Sequence, residues 1–161
     1  MKKTFVSAAM AVLLAISLAS IAFAAPAAGN QAVPFKGTWQ AQEVIIDPGP
    51  PTVLHGIGSG DATQLGRYTI SYDPVVSLPT ATTSGTFVAA NGDTLTFVGT
   101  GQAVAAGGPG EFDIVEQFTI TGGTGRFAGA SGNVTLKRHL SAITLASTGT
   151  FDGTIVISLG N

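Results

Sequence analysis

Beyond residue 35, apolar and polar residues alternate along most of the chain. Phe112, Ile114, Phe118 and Ile120 share one face of a segment with Glu116, while Asp113, Val115, Gln117 and Thr119 share the other. Further on, Val134, Leu136, Arg138 and Leu140 alternate with Thr135, Lys137, His139 and Ser141. A period of two marks a strand with one buried face. The pattern predicts strands at about 36–46, 55–60, 65–73, 83–90, 93–101, 111–121, 133–142 and 147–159. Turn residues fill the breaks: Asp47-Pro48-Gly49-Pro50-Pro51, Asp73-Pro74, Asn91-Gly92-Asp93 and Gly107-Gly108-Pro109-Gly110. No long stretch after position 24 keeps a helical period, so the predicted class is all-β. Eight strands in one domain either close into a barrel or stack as two sheets. Phe35-Lys36-Gly37-Thr38-Trp39 echoes Phe151-Asp152-Gly153-Thr154-Ile155. That echo favours first and last strands side by side in a single closed antiparallel barrel.

Two hairpins assign faces. At Asn91-Gly92 a two-residue turn would pair Ala90 with Asp93 and set Phe87 against Thr96. A three-residue loop with left-handed Gly92 instead pairs Ala89 with Asp93, Phe87 with Leu95 and Gly85 with Phe97. The second arrangement keeps the large apolar residues on one face and is preferred. For the later hairpin, centring the connection on Phe127 pairs Ile120 with Val134, Phe118 with Leu136, Glu116 with Arg138 and Ile114 with Leu140. A bulge in the loop would shift this register by two.

That connection, Gly122 to Gly132, contains Gly123-x-Gly125-x-x-Ala128, a loose dinucleotide fingerprint. The fingerprint needs a following helix, whose N-terminus holds the pyrophosphate. Alternating Gly132-Asn133-Val134-Thr135-Leu136 follows instead, so the run reads as a turn and no cofactor is expected.

Residues 1–24 have the order of a helical secretory signal: Lys2 and Lys3, an apolar run from Phe5 to Ile21, then Ala22-Phe23-Ala24 as an A-x-A cleavage site. Residues 25–34 are expected to be a flexible leader and 35–161 the barrel domain. The expected location is periplasmic or extracellular, with no stable membrane anchor after cleavage. Without Lys2 and Lys3, five basic residues face nine acidic ones, a formal charge of −4. No basic stripe exists for nucleic acid. The chain has no cysteine, which excludes disulfides and thiol chemistry.

Glu116 and Arg138 are the sharpest candidate site, each the single charge on an apolar face. They are either a self-satisfying structural pair or a polar pair in a cavity able to orient a ligand. Trp39 and Tyr68 read as core residues or as cavity wall. Arg67 and Tyr68 point to opposite faces of one strand. His55 and His139 are the only histidines and lack ligand spacing, so no metal site is expected.

Three segments together carry a family resemblance: Ala62-Thr63-Gln64-Leu65-Gly66-Arg67-Tyr68-Thr69, Phe87-Val88-Ala89-Ala90-Asn91-Gly92-Asp93, and the run Gly122 to Gly132. They resemble uncharacterised exported bacterial proteins related to the allene oxide cyclase and dirigent barrels. The resemblance implies eight antiparallel strands around a ligand cavity. Dirigent-like sequences end the glycine hairpin with Arg, Gly and Tyr, where this chain has Ser131, Gly132 and Asn133, so dirigent activity does not carry over. No cyclase catalytic residue aligns either.

The expected function is a secreted, non-catalytic barrel, either a small-molecule binder or a surface module, with a small apolar ligand as the expected partner. A cyclase or isomerase working in the cavity is the alternative, so enzymatic activity stays open. A transmembrane barrel would need Asp113, Gln117, Lys137 and His139 to face its lumen. N-terminal sequencing of the exported protein should begin at Ala25; material beginning at Met1 and retained in membrane would refute processing.

Overall fold

A computed structural model describes residues 29–158. The expected signal segment, 1–24, lies outside them. Eight strands follow in order: β1 Asn30–Asp47, β2 Thr52–Ala62, β3 Gly66–Ser77, β4 Thr80–Ala89, β5 Thr94–Ala105, β6 Glu111–Gly123, β7 Ser131–Ser141 and β8 Ala146–Ser158. Each pairs antiparallel with the next, and β8 closes on β1. The barrel is closed and all-β, with a single 3-10 turn at Gly125–Phe127 between β6 and β7.

β1 starts at Asn30, so 30–34 belong to the barrel rather than to a leader; Asn30 to Pro34 pair with Ser158 to Thr154. The echo between the first and last strands is a structural pair. Phe35 faces Gly153 and Phe151 faces Gly37, with Lys36 and Asp152 joined at 2.8 Å between them. The Phe151 ring fills the space over Gly37, Gly153 lets the β7 backbone at Asn133 and Val134 come close, and the two phenylalanine rings lie 5.0 Å apart.

β3 continues through Asp73-Pro74 to Ser77, where the sequence pattern predicts a break. Proline has no N–H to donate to a ladder. Here the β2–β3 ladder skips Leu54 and His55 opposite Pro74 and Asp73. His55 Nδ1 instead meets Asp73 Oδ1 at 2.7 Å across the gap. Inward alternation runs on through Tyr72 and Pro74, so burial carries the strand past the missing donor.

The 89–93 turn has the preferred three-residue form: Gly92 N–H donates to Ala89 O and Ala89 N–H to Asp93 O, with Gly92 at φ 87°. Phe87 faces Leu95 and Gly85 faces Phe97. The β6–β7 register differs by two from the centred expectation: Glu116 faces Leu136 and Ile114 faces Arg138. The connection is asymmetric. Thr121 bulges, then Gly122 and Gly123 continue along β5 opposite Thr96 and Leu95. The chain returns through the 3-10 turn, whose Phe127 is buried in the barrel end. A shift of two preserves the inward face, so Glu116 and Arg138 still share it.

Inside, an aromatic cluster fills the half of the barrel nearer the 63–65, 90–93 and 124–130 connections. Phe87 sits at its centre, 5.2 Å from both Tyr68 and Phe97, with Phe97 stacked on Phe118 at 4.3 Å. Asp113, Gln117, Lys137 and His139 alternate with inward apolar positions and face outward, the reverse of a transmembrane barrel with a polar lumen.

Gly37 tests the interlock. A Cβ there would lie 2.6 Å from the Phe151 ring and 2.6 Å from Asp61 O. Gly37→Ala should lower stability by about 1–3 kcal/mol through overpacking, read as a lower urea midpoint with unchanged slope.

Candidate functional site

The other half of the barrel is open. A cavity of about 450 Å³ lies there, reached between the 48–51, 78–79 and 142–145 connections. Leu54, Pro74, Val76, Phe112, Ile114 and Leu140 contribute apolar walls, and Glu43, Glu116 and Arg138 contribute charge.

These three form one cluster, each with 6% exposure or less. Arg138 Nε donates to Glu116 Oε2 at 2.8 Å, and its Nη1 donates to Glu43 Oε1 at 2.8 Å. Tyr72 Oη donates to the same Glu43 oxygen at 2.9 Å. Ser147 Oγ accepts from Arg138 Nη1 at 3.3 Å and from Trp39 Nε1 at 3.2 Å, tying the cluster to the aromatic core. Glycines make the room. Gly101 faces Glu116, and a Cβ there would meet its Cγ at 2.6 Å. Gly149 lies between Trp39 and Arg138, where a Cβ would run into Lys137 O.

Burial by itself would lower the Arg138 pKa, but Glu116 and then Glu43 more than offset this, and the guanidinium is held charged. Burial, reinforced by Glu43, raises the Tyr72 pKa, so its hydroxyl remains a donor. Glu43 Oε2, Glu116 Oε1 and Arg138 Nη2 have no hydrogen-bond partner among the described residues. All three residues line the cavity. The cavity floor therefore offers two carboxylate oxygens and a guanidinium edge, with one more carboxyl group than cation.

Sequence pattern found Glu116 and Arg138 but not Glu43 or Tyr72. Trp39 and Tyr68, considered as cavity wall, lie in the packed aromatic core and do not line the cavity. Tyr68 donates to Thr38 O, with its pKa raised by burial and by Asp61. Arg67 is exposed on the opposite face. His139, on the outer wall, has its ring nitrogens 2.9 Å from Asp113 and 2.9 Å from Glu111. Those hydrogen bonds, Asp113 first, raise its pKa. No group of three or more histidines, cysteines or acids among the described residues is placed to hold a metal ion.

One pterocarpan synthase dirigent protein superposes with a TM-score of 0.62 at 15% identity, covering 82% of this chain and 88% of its own. A second gives 0.60 at 14% identity, covering 81% of this chain and 97% of its own. The fold is that of the dirigent barrels. No protein-family model matches the chain, and no curated protein is similar to it. The dirigent-type barrel is therefore shared at the level of architecture, and the chemistry must be argued from this chain's own side chains.

The cluster makes a stability prediction. Glu116→Ala should cost about 3–5 kcal/mol by leaving Arg138 underpaired. Replacing only Glu116 and Arg138 with apolar residues should recover little, because Glu43 is then stranded. The triple variant Glu43→Leu, Glu116→Leu, Arg138→Met should recover most of the loss in urea unfolding.

Proposed function

We propose that this protein is an exported, non-catalytic barrel that binds a small, largely apolar molecule in its open-end cavity. The observation that carries the reading is a 450 Å³ cavity with aliphatic and aromatic walls and a buried Glu43–Arg138–Glu116 floor. Binding cavities are mainly apolar, with a few fixed polar groups that orient the ligand. Here the unpartnered oxygens of Glu43 and Glu116 fit a ligand end that donates hydrogen bonds, and the walls fit a hydrocarbon or aromatic body. The basic, apolar and A-x-A order of residues 2–24 supports export.

A cyclase or isomerase is the second reading, favoured by two carboxylates lining one apolar cavity. Both are held to Arg138, which fits orientation better than proton transfer. Native mass spectrometry of the exported protein should detect a co-purifying apolar molecule, lost in Ala81→Trp, which fills the cavity from β4. Clean apo protein would favour a surface module. A molecule released chemically altered after incubation would favour the enzyme.

A further inference from the structure

The two ends of the barrel differ in chemistry as well as in packing. At the closed end, the connections 63–65, 90–93 and 124–130 carry Gln64, Asn91, Asp93 and Arg126. At the open end, the connections 48–51, 78–79, 106–110 and 142–145 contain no charged residue, and Thr144 is their one hydroxyl side chain. The most exposed large apolar residues in the described barrel gather there too. Ile46, Leu78, Val104 and Ile143 are 65–74% exposed, and each lies in, or within two residues of, a different one of these four connections. They set four aliphatic tips at the end of the barrel where the cavity opens, on connections built largely of proline, alanine and glycine.

We propose that this rim docks the open end on a lipid bilayer with neutral, zwitterionic headgroups. Exposed aliphatic tips concentrated at one end of a domain mark an interaction surface rather than ordinary scatter. The tips are separate prongs at the end where the cavity opens. A fluid interface takes separate prongs without matching pits, whereas a rigid protein partner or a second copy would have to supply one pit for each. Anionic lipid is recruited by lysine and arginine clusters. The four connections hold neither, and the charges flanking them are Asp47 and Glu111, which such lipid would repel. Glu111 is engaged by Ser141 and His139. Docked this way, the mouth faces the lipid, and an apolar ligand enters the cavity without crossing water. Only that route rests on the binding function proposed above; the docking does not.

The test is co-sedimentation of the exported, processed protein with phosphatidylcholine vesicles. Wild type should bind. Val104→Asp and Ile143→Asp should each weaken binding about tenfold, and the double variant about a hundredfold. Ile57→Asp, on the mid-barrel wall at a residue 60% exposed, should bind like wild type. Both altered rim residues are solvent-facing, and circular dichroism verifies that each variant is folded. Ala81→Trp should keep vesicle binding while losing any cavity ligand, which separates failure of the cavity reading from failure of docking. Absence of wild-type binding, equal loss in Ile57→Asp, or tighter binding to phosphatidylglycerol vesicles would overturn the proposal. Rim-dependent self-association in sedimentation velocity without vesicle binding would overturn it in favour of a second copy.

Discussion

Glycine set against bulk across the ladder is the device that lets this barrel close on its own side chains. An eight-strand barrel is only wide enough for its inward side chains or for one small ligand, so in the packed half large residues on adjacent strands cannot all stand at one level. Gly85 and Gly99 make way for the Phe97 and Phe118 rings, Gly56 for Tyr72 and Gly37 for Phe151. At each of these positions an added Cβ would fall well inside contact distance of a ring. The aromatic core thus depends on residues that bury almost no area of their own.

The same device builds the polar site. Gly101 admits the Glu116 side chain, just as other glycines admit rings, and Gly149 lets the β7 chain that carries Arg138 come close. Charge is costly inside a protein unless its partners are within hydrogen-bond reach. Arg138 meets two carboxylates, and Tyr72 and Ser147 add further bonds. Trp39 reaches Ser147 from the aromatic side, so packing of the closed half holds the floor of the open half. A site supported in this way is stiff, and stiffness keeps fixed polar groups aimed into a cavity.

Much of the architecture was legible because a strand's period of two depends on local pattern and burial alone. The lone charges on apolar faces, Glu116 and Arg138, stood out for the same reason. Glu43 did not, because Val44, Ile45 and Ile46 follow it and all three are exposed at the rim, which blurs the alternation. Counting inward positions from Trp39 through Ala41 reaches Glu43, and that was the available signal. Asp73-Pro74 read as a break because a proline's missing donor is a local property. The skipped pairing on β2 that accommodates it is not.

By itself, the sequence determined the strand periodicity, the inward faces, the 89–93 turn and the closeness of the first and last strands. Each depends on neighbouring residues or on a repeated local motif. Tertiary structure decided the β6–β7 offset, since Gly122 and Gly123 pair with β5, a strand the hairpin pattern does not contain. It also decided that Glu43 and Tyr72, distant in the chain from Arg138, complete the charge cluster. Closure of the barrel brings β1, β3, β6 and β7 around one narrow interior. Contacts across that interior join residues with no shared local pattern, so they exist only once the chain has closed.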